Sequence, residues 1–147
     1  MPARRTFENR DGLFGALDNT FDRVVANNSS VVLNVVGPTG MGKSAMVDEW
    51  LEARRDARVI RSWIPHEPAT TFRPIGDVVE KCLGIDPGDD LDQVRTRLEQ
   101  IPELDELVRR RLAHVAGDDE ESFPNHEIFW AVRFLFETAA ADRPLIV

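Results

Sequence analysis

The stretch that decides the reading of this chain is "GPTGMGKS", Gly37 to Ser44. It follows "VVLNVV" at 31–36 and precedes "AMVDEWLEARR" at 45–55. Gly37, Gly40 and Gly42 let the backbone take conformations that other residues resist, and let it approach an anion closely. Amides of such a loop turn inward and form a cradle of donors. The apolar residues Met46, Val47, Trp50 and Leu51 predict an amphipathic helix from Lys43 to about Asp56. The positive end of that helix would lie at the same cradle. "VVLNVV" is short, β-branched and almost continuously apolar, the pattern of a strand buried on both faces of a parallel sheet. Asn34, polar within that run, would need a partner.

Together these residues fit G-x-x-x-x-G-K-[ST], the Walker A or P-loop pattern, in the strand–loop–helix context that it requires. The expected nucleotide-binding residues are Gly37, Pro38, Thr39, Gly40, Met41, Gly42, Lys43 and Ser44. Pro38 has no N–H and can only shape the turn. Lys43 would reach the β- and γ-phosphates as a point charge, and the Ser44 hydroxyl would ligate Mg²⁺. The expected cofactors are therefore ATP and Mg²⁺. No guanine-reading motif of the NKxD type occurs, which favours ATP over GTP.

Working outward, "RDGLFGALDNTFDRVVAN" carries Leu13, Leu17, Phe21 and Val24 at helical spacing and predicts an opening helix over 10–27. "ARVIRSWI" (57–64) reads as a second strand, and "PHEPATTFRP" (65–74) as a loop, because its prolines oppose regular pairing. A helical region follows over 73–141. Gly84 and Gly117 are stop signals within it. Its last helix presents Ile128, Val132, Leu135, Phe136 and Ala139 on one face, with Trp130 and Phe134 widening the buried side. "RPLIV" begins a third strand at 143–147. Alternation of strands with helices predicts an α/β fold of three layers around a parallel sheet.

The composition bounds the partners. The 147 residues suit one domain, and 26 acids against 18 bases give a formal net charge of −8, which repels nucleic acid and anionic membranes. No apolar run approaches the roughly 20 residues that span a bilayer. The single cysteine, Cys82, precludes an intrachain disulfide and fits a reducing compartment, so a cytoplasmic protein is expected. Cys82 reads as a small core residue. His66, His114 and His126 lack the spacing of a metal site. Glu127 reads as a first-turn acid suited to its helix dipole rather than a catalytic base. Arg109, Arg110 and Arg111 read as a solvated face or an interdomain contact. Trp130 reads as core.

Beyond the motif itself, the chain resembles the AAA-like, STAND-type P-loop ATPase domain of bacterial LuxR-type regulators and cyclase-like multidomain signalling proteins. The resemblance rests on "FENRDGLFGAL", "GPTGMGKSAMVDEWL", "TTFRPIGDVVEKCLGI" and "EIFWAVRFLFETAAADRPLIV". Asn9 stands where that family has glycine. The resemblance implies a nucleotide switch with slow hydrolysis, and it places Arg10 near the nucleotide, although an exposed helix start accounts for Arg10 equally well. It also implies that "RPLIV" runs on into Walker B acids beyond Val147, so that these residues would be the N-terminal part of a P-loop NTPase domain truncated at the Walker B strand. The expected partners are then ATP, the remaining C-terminal part and its effector domains. In that class a further strand separates the Walker A and Walker B strands, so 31–36 and 144–147 are not expected to pair. Two other functions fit the loop: a small-molecule or nucleoside kinase, and a non-catalytic interaction fragment. No catalytic residue can be named from the sequence.

Overall fold

The computed structural model describes residues 10–63, 73–86, 89–118 and 120–147. The chain divides into two compact units, Met1–Arg55 and Asp56–Val147.

The first unit contains helix α1 (Arg10–Asn27) and helix α2 (Lys43–Glu52). Among its described residues, Phe21 of α1 and Met46 and Trp50 of α2 are the buried apolar side chains. The Phe21 and Trp50 rings meet edge to face, with centroids 6.1 Å apart. This geometry sets the positive rim of one ring against the negative face of the other. Helix α2 stops at Glu52, short of the expected Asp56, with Ala53 as its C-cap. Arg54 lies just past that end, and its guanidinium stands over the rings of both Trp50 and Phe21, 4.8 and 5.1 Å from their centroids.

The expected strand at 31–36 is not formed: these residues lie outside any strand. Val32 and Val36 are 87% and 90% exposed, and Asn34 is exposed too. The reason is that a strand is completed by a neighbour's N–H and C=O groups, not by its own sequence. Among its described residues, this unit offers helices and no second strand.

The second unit begins with β1 (Arg58–Val59), continues through α3 (Arg73–Leu83), α4 (Leu91–Glu99), α5 (Glu106–Val115) and α6 (Asn125–Ala139), and ends with β2 (Leu145–Ile146). β1 and β2 form a two-stranded parallel sheet in the register Arg58↔Leu145 and Val59↔Ile146. Arg58 N donates to Pro144 O at 2.7 Å and Ile60 N to Ile146 O at 2.8 Å. The parallel pairing agrees with the α/β reading. The three-layer architecture is not seen, because the described sheet has only these two strands.

The core of this unit is helical. Val79, Leu98, Leu104, Val108, Leu112, Ile128, Ala131 and Leu135 are each 2% exposed or less. Local chemistry fixes the helix ends. Asp90 caps α4 by accepting from Gln93 N, and the Gln93 side chain accepts in return from Asp90 N, a reciprocal capping box. Asp105 caps α5 by accepting from Val108 N at 2.8 Å. Gly84, past the end of α3, takes φ +67°, where a Cβ would be strained. Arg58 of β1 donates to Cys82 O at 2.7 Å, setting a cation at the C-terminal end of α3. Cys82 is buried, and that burial pushes its thiol pKa up, with Arg58 pulling the other way.

Two expectations about this unit change. Trp130 is 48% exposed, and its ring lies near that of Phe134 at the edge of the core rather than inside it. The run Arg109–Arg111 is not a uniformly solvated face: Arg110 is exposed, but Arg109 and Arg111 are half-buried. Arg111 pairs with Glu127 and stacks over Phe123, Arg110 pairs with Glu121, and Arg109 donates to Ile101 O at 3.2 Å. These arginines join α5 to the segments around it. Asp118, almost fully buried, is held below the usual carboxylate range chiefly by its hydrogen bond from Arg95.

Helices α3 and α5 approach closely at Gly76. A Cβ built there would stand 2.8 Å from Val115 O, a backbone atom that cannot rotate away. Gly76→Ala is therefore expected to destabilise the second unit by about 1–3 kcal/mol, the scale of overpacking, despite alanine's better helix propensity. Thermal unfolding checks this; an unchanged or raised Tm would show that the helices separate at no cost.

Candidate nucleotide-binding loop

The eight residues singled out by the sequence lie together between 36 and the first turn of α2. Gly40 and Gly42 take φ +84° and +79°, in the left-handed region that favours glycine. Gly42 is the N-cap of α2, with φ 79° and ψ 23°, and no side chain caps the helix there. The first intrahelical bond runs from Met46 N to Gly42 O at 3.0 Å. The first amides of a helix have no intrahelical acceptor and need one from elsewhere. A helix start capped by glycine therefore offers its donors to whatever anion lies before it.

Lys43, the first residue of α2, folds back over the loop. Its Nζ donates to Gly37 O at 2.8 Å and to Pro38 O at 2.9 Å. The ammonium is thus drawn to the same side of the loop that the glycines shape. Gly37 itself faces this side chain: a Cβ there would meet Lys43 Cδ and Met41 Sδ, each at 3.7 Å. Pro38, Thr39, Met41 and Ser44 are exposed, and Lys43 is half-buried. Ser44 sits in the first turn of α2.

This donor set fits a phosphate chain with its magnesium ion. It has a helix start without a side-chain cap, two left-handed glycines and one ammonium in contact with the loop, with an exposed hydroxyl next in sequence. The carbonyls of Gly37 and Pro38 are neutral acceptors, and a phosphate oxygen, being anionic, competes with them for the ammonium.

The other residues weighed from sequence lie elsewhere. Arg10 is the first residue of α1. Glu127 is in the first turn of α6 and is bound by Arg111, which gives it a structural partner rather than a catalytic one. His114 stands in the last turn of α5, its Nδ1 3.0 Å from Asp118 O. His126 is exposed in the first turn of α6. Asn9, His66 and most of the expected loop at 65–74 lie outside the described residues.

One group was missed. Asp18 of α1 accepts a hydrogen bond from Trp50 Nε1 at 2.7 Å and also pairs with Arg54. The signal was present: Asp18 lies three residues before Phe21 and four after Phe14, inside the apolar stripe of α1, where a carboxylate needs partners.

A family model described as AAA ATPase domain matches residues 6–147 of the chain. No curated protein and no solved structure matches it.

Proposed function

The chain belongs to the AAA ATPase domain family, and from that premise we propose that Gly37–Ser44 is its nucleotide site and that it binds ATP together with Mg²⁺. Membership implies the P-loop NTPase fold and nucleotide binding within an ATPase module. The observation that carries the assignment is the convergence of Lys43 Nζ, the left-handed Gly40 and Gly42 and the uncapped start of α2 on one loop.

In this reading the chain's own groups act as follows. The amides at the start of α2 and in the loop hold phosphate oxygens. Lys43 leaves the Gly37 and Pro38 carbonyls for the terminal phosphates. Ser44 Oγ binds the magnesium ion, which when present neutralises phosphate charge. The finer proposal is that the domain serves a regulatory ATPase of the STAND type, in which nucleotide occupancy is a conformational signal. The extent of the resemblance, from "FENRDGLFGAL" to "RPLIV", supports this.

The test separates metal from phosphate. Ser44→Ala is expected to weaken binding of ATP about tenfold in the presence of Mg²⁺, the scale of one contact to a charged group, and to leave binding without Mg²⁺ unchanged. Isothermal titration with and without the metal measures both. Equal loss in the two conditions would mean that Ser44 does not act through the metal.

A further inference from the structure

The nucleotide loop is itself poor in side-chain anchors, since three of its first six residues are glycines. The direction of α2 must therefore be set mainly from further along the helix. The side chains buried on α2 are Met46 and Trp50. Trp50 is held at both its apolar and its polar ends. Its ring packs edge to face with Phe21, and its indole N–H donates to Asp18 at 2.7 Å. Asp18 also binds Arg54, which lies just past the C-cap of α2 and stands over the Trp50 ring. One carboxylate on α1 thus grips the last turn of α2 and the residue just beyond its C-cap. Seven residues, about 10 Å of helix, separate Trp50 from Lys43.

We infer that Asp18 is a positioning residue of the nucleotide site, fixing through Trp50 and Arg54 the direction in which α2 presents Lys43 and Ser44. This rests on the reading of Gly37–Ser44 as that site. A rigid helix transmits a small rotation at one end to the other, so occupancy of the loop and the state of the Asp18 clamp are linked, and the linkage is reciprocal. The clamp then has two consequences. Breaking it weakens nucleotide binding at a distance, and nucleotide binding alters the surroundings of Trp50.

The chain has three tryptophans. Trp63 and Trp130 are 77% and 48% exposed, so both can be replaced by phenylalanine, leaving Trp50 as the sole indole reporter in the full chain. In that background, Mg·ATP is expected to change Trp50 emission. Asp18→Ala is expected to raise the Kd for Mg·ATP about fivefold, within the usual range of coupling between linked sites, and to abolish the emission change. Asp18→Asn keeps an oxygen for the indole but gives up the charge that holds Arg54, and should fall between the two. Lys43→Ala should lose binding while keeping the wild-type emission of the free protein.

Wild-type affinity and a retained emission change in Asp18→Ala, with binding lost in Lys43→Ala, would overturn the clamp and leave the site standing. Wild-type affinity in Lys43→Ala would instead overturn the site. If circular dichroism shows that Asp18→Ala has lost helix, Asp18→Asn and Trp50→Phe carry the test, read by calorimetry. The phenylalanine keeps the ring and removes only the N–H donor. Wild-type Kd in both would overturn the clamp.

Discussion

Lys43→Ala should reduce the affinity of this chain for Mg·ATP by about a hundredfold. The figure follows from the interaction lost. A hydrogen bond to a charged group contributes about 1.5–3 kcal/mol, and about 2.8 kcal/mol corresponds to a hundredfold in Kd. Lys43 is well placed to make such bonds because its Nζ already lies at the Gly37 and Pro38 carbonyls. The partner lost is an anion, and Lys43 is the only cation among the eight residues of the loop. Stability should change little, since Lys43 bonds only to exposed loop carbonyls. Calorimetric titration with Mg·ATP measures the first quantity and thermal unfolding the second. A loss of less than about threefold, well under the scale of one charged hydrogen bond, would remove Lys43 from the site.

The second large effect concerns the helical core. Leu112 of α5 is fully buried. Leu112→Ala leaves a cavity that the surrounding helices fill only in part, at a cost of about 2–5 kcal/mol. Against a typical domain stability of about 5–15 kcal/mol, that is a substantial share. Urea unfolding followed by circular dichroism should show a clearly lower midpoint with an unchanged slope. A shift worth less than about 1 kcal/mol would mean that the site collapses and that the packing around Leu112 is looser than the structure has it.

Helices could be anticipated because their signals are local. Phe21 recurs four residues after Leu17, Asp90 and Gln93 sit at capping-box spacing, and Gly84 falls where α3 ends. The loop at Gly37–Ser44 was legible for the same reason. Its glycines, its lysine and the helix that follows are neighbours in the chain, and the left-handed φ angles at Gly40 and Gly42 arise within a few residues.

What escaped was whatever depends on a distant partner. "VVLNVV" reads as a buried strand, yet Val32 and Val36 are exposed, because burial requires a second surface and pairing requires a second strand. The arginines at 109–111 announce charge but not where that charge goes. Glu121 and Glu127, which Arg110 and Arg111 bind, come from the segment leading into α6 and from α6 itself. Trp130 is apolar enough for a core, but its place on α6 leaves it at the margin. Asp18 stood in view within the α1 stripe, and only the indole and guanidinium brought to it by α2 explain its presence.

If Mg·ATP binds at the loop before α2, as proposed, the backbone of that loop must respond to it. The most direct test is the response of the backbone amides, residue by residue, in a nitrogen–proton correlation spectrum of the isotopically labelled chain titrated with Mg·ATP. The largest shifts are expected on Gly40, Gly42, Lys43 and Ser44, saturating together with the calorimetric binding curve. Shifts centred elsewhere, with those four amides unmoved at saturation, would contradict the proposal.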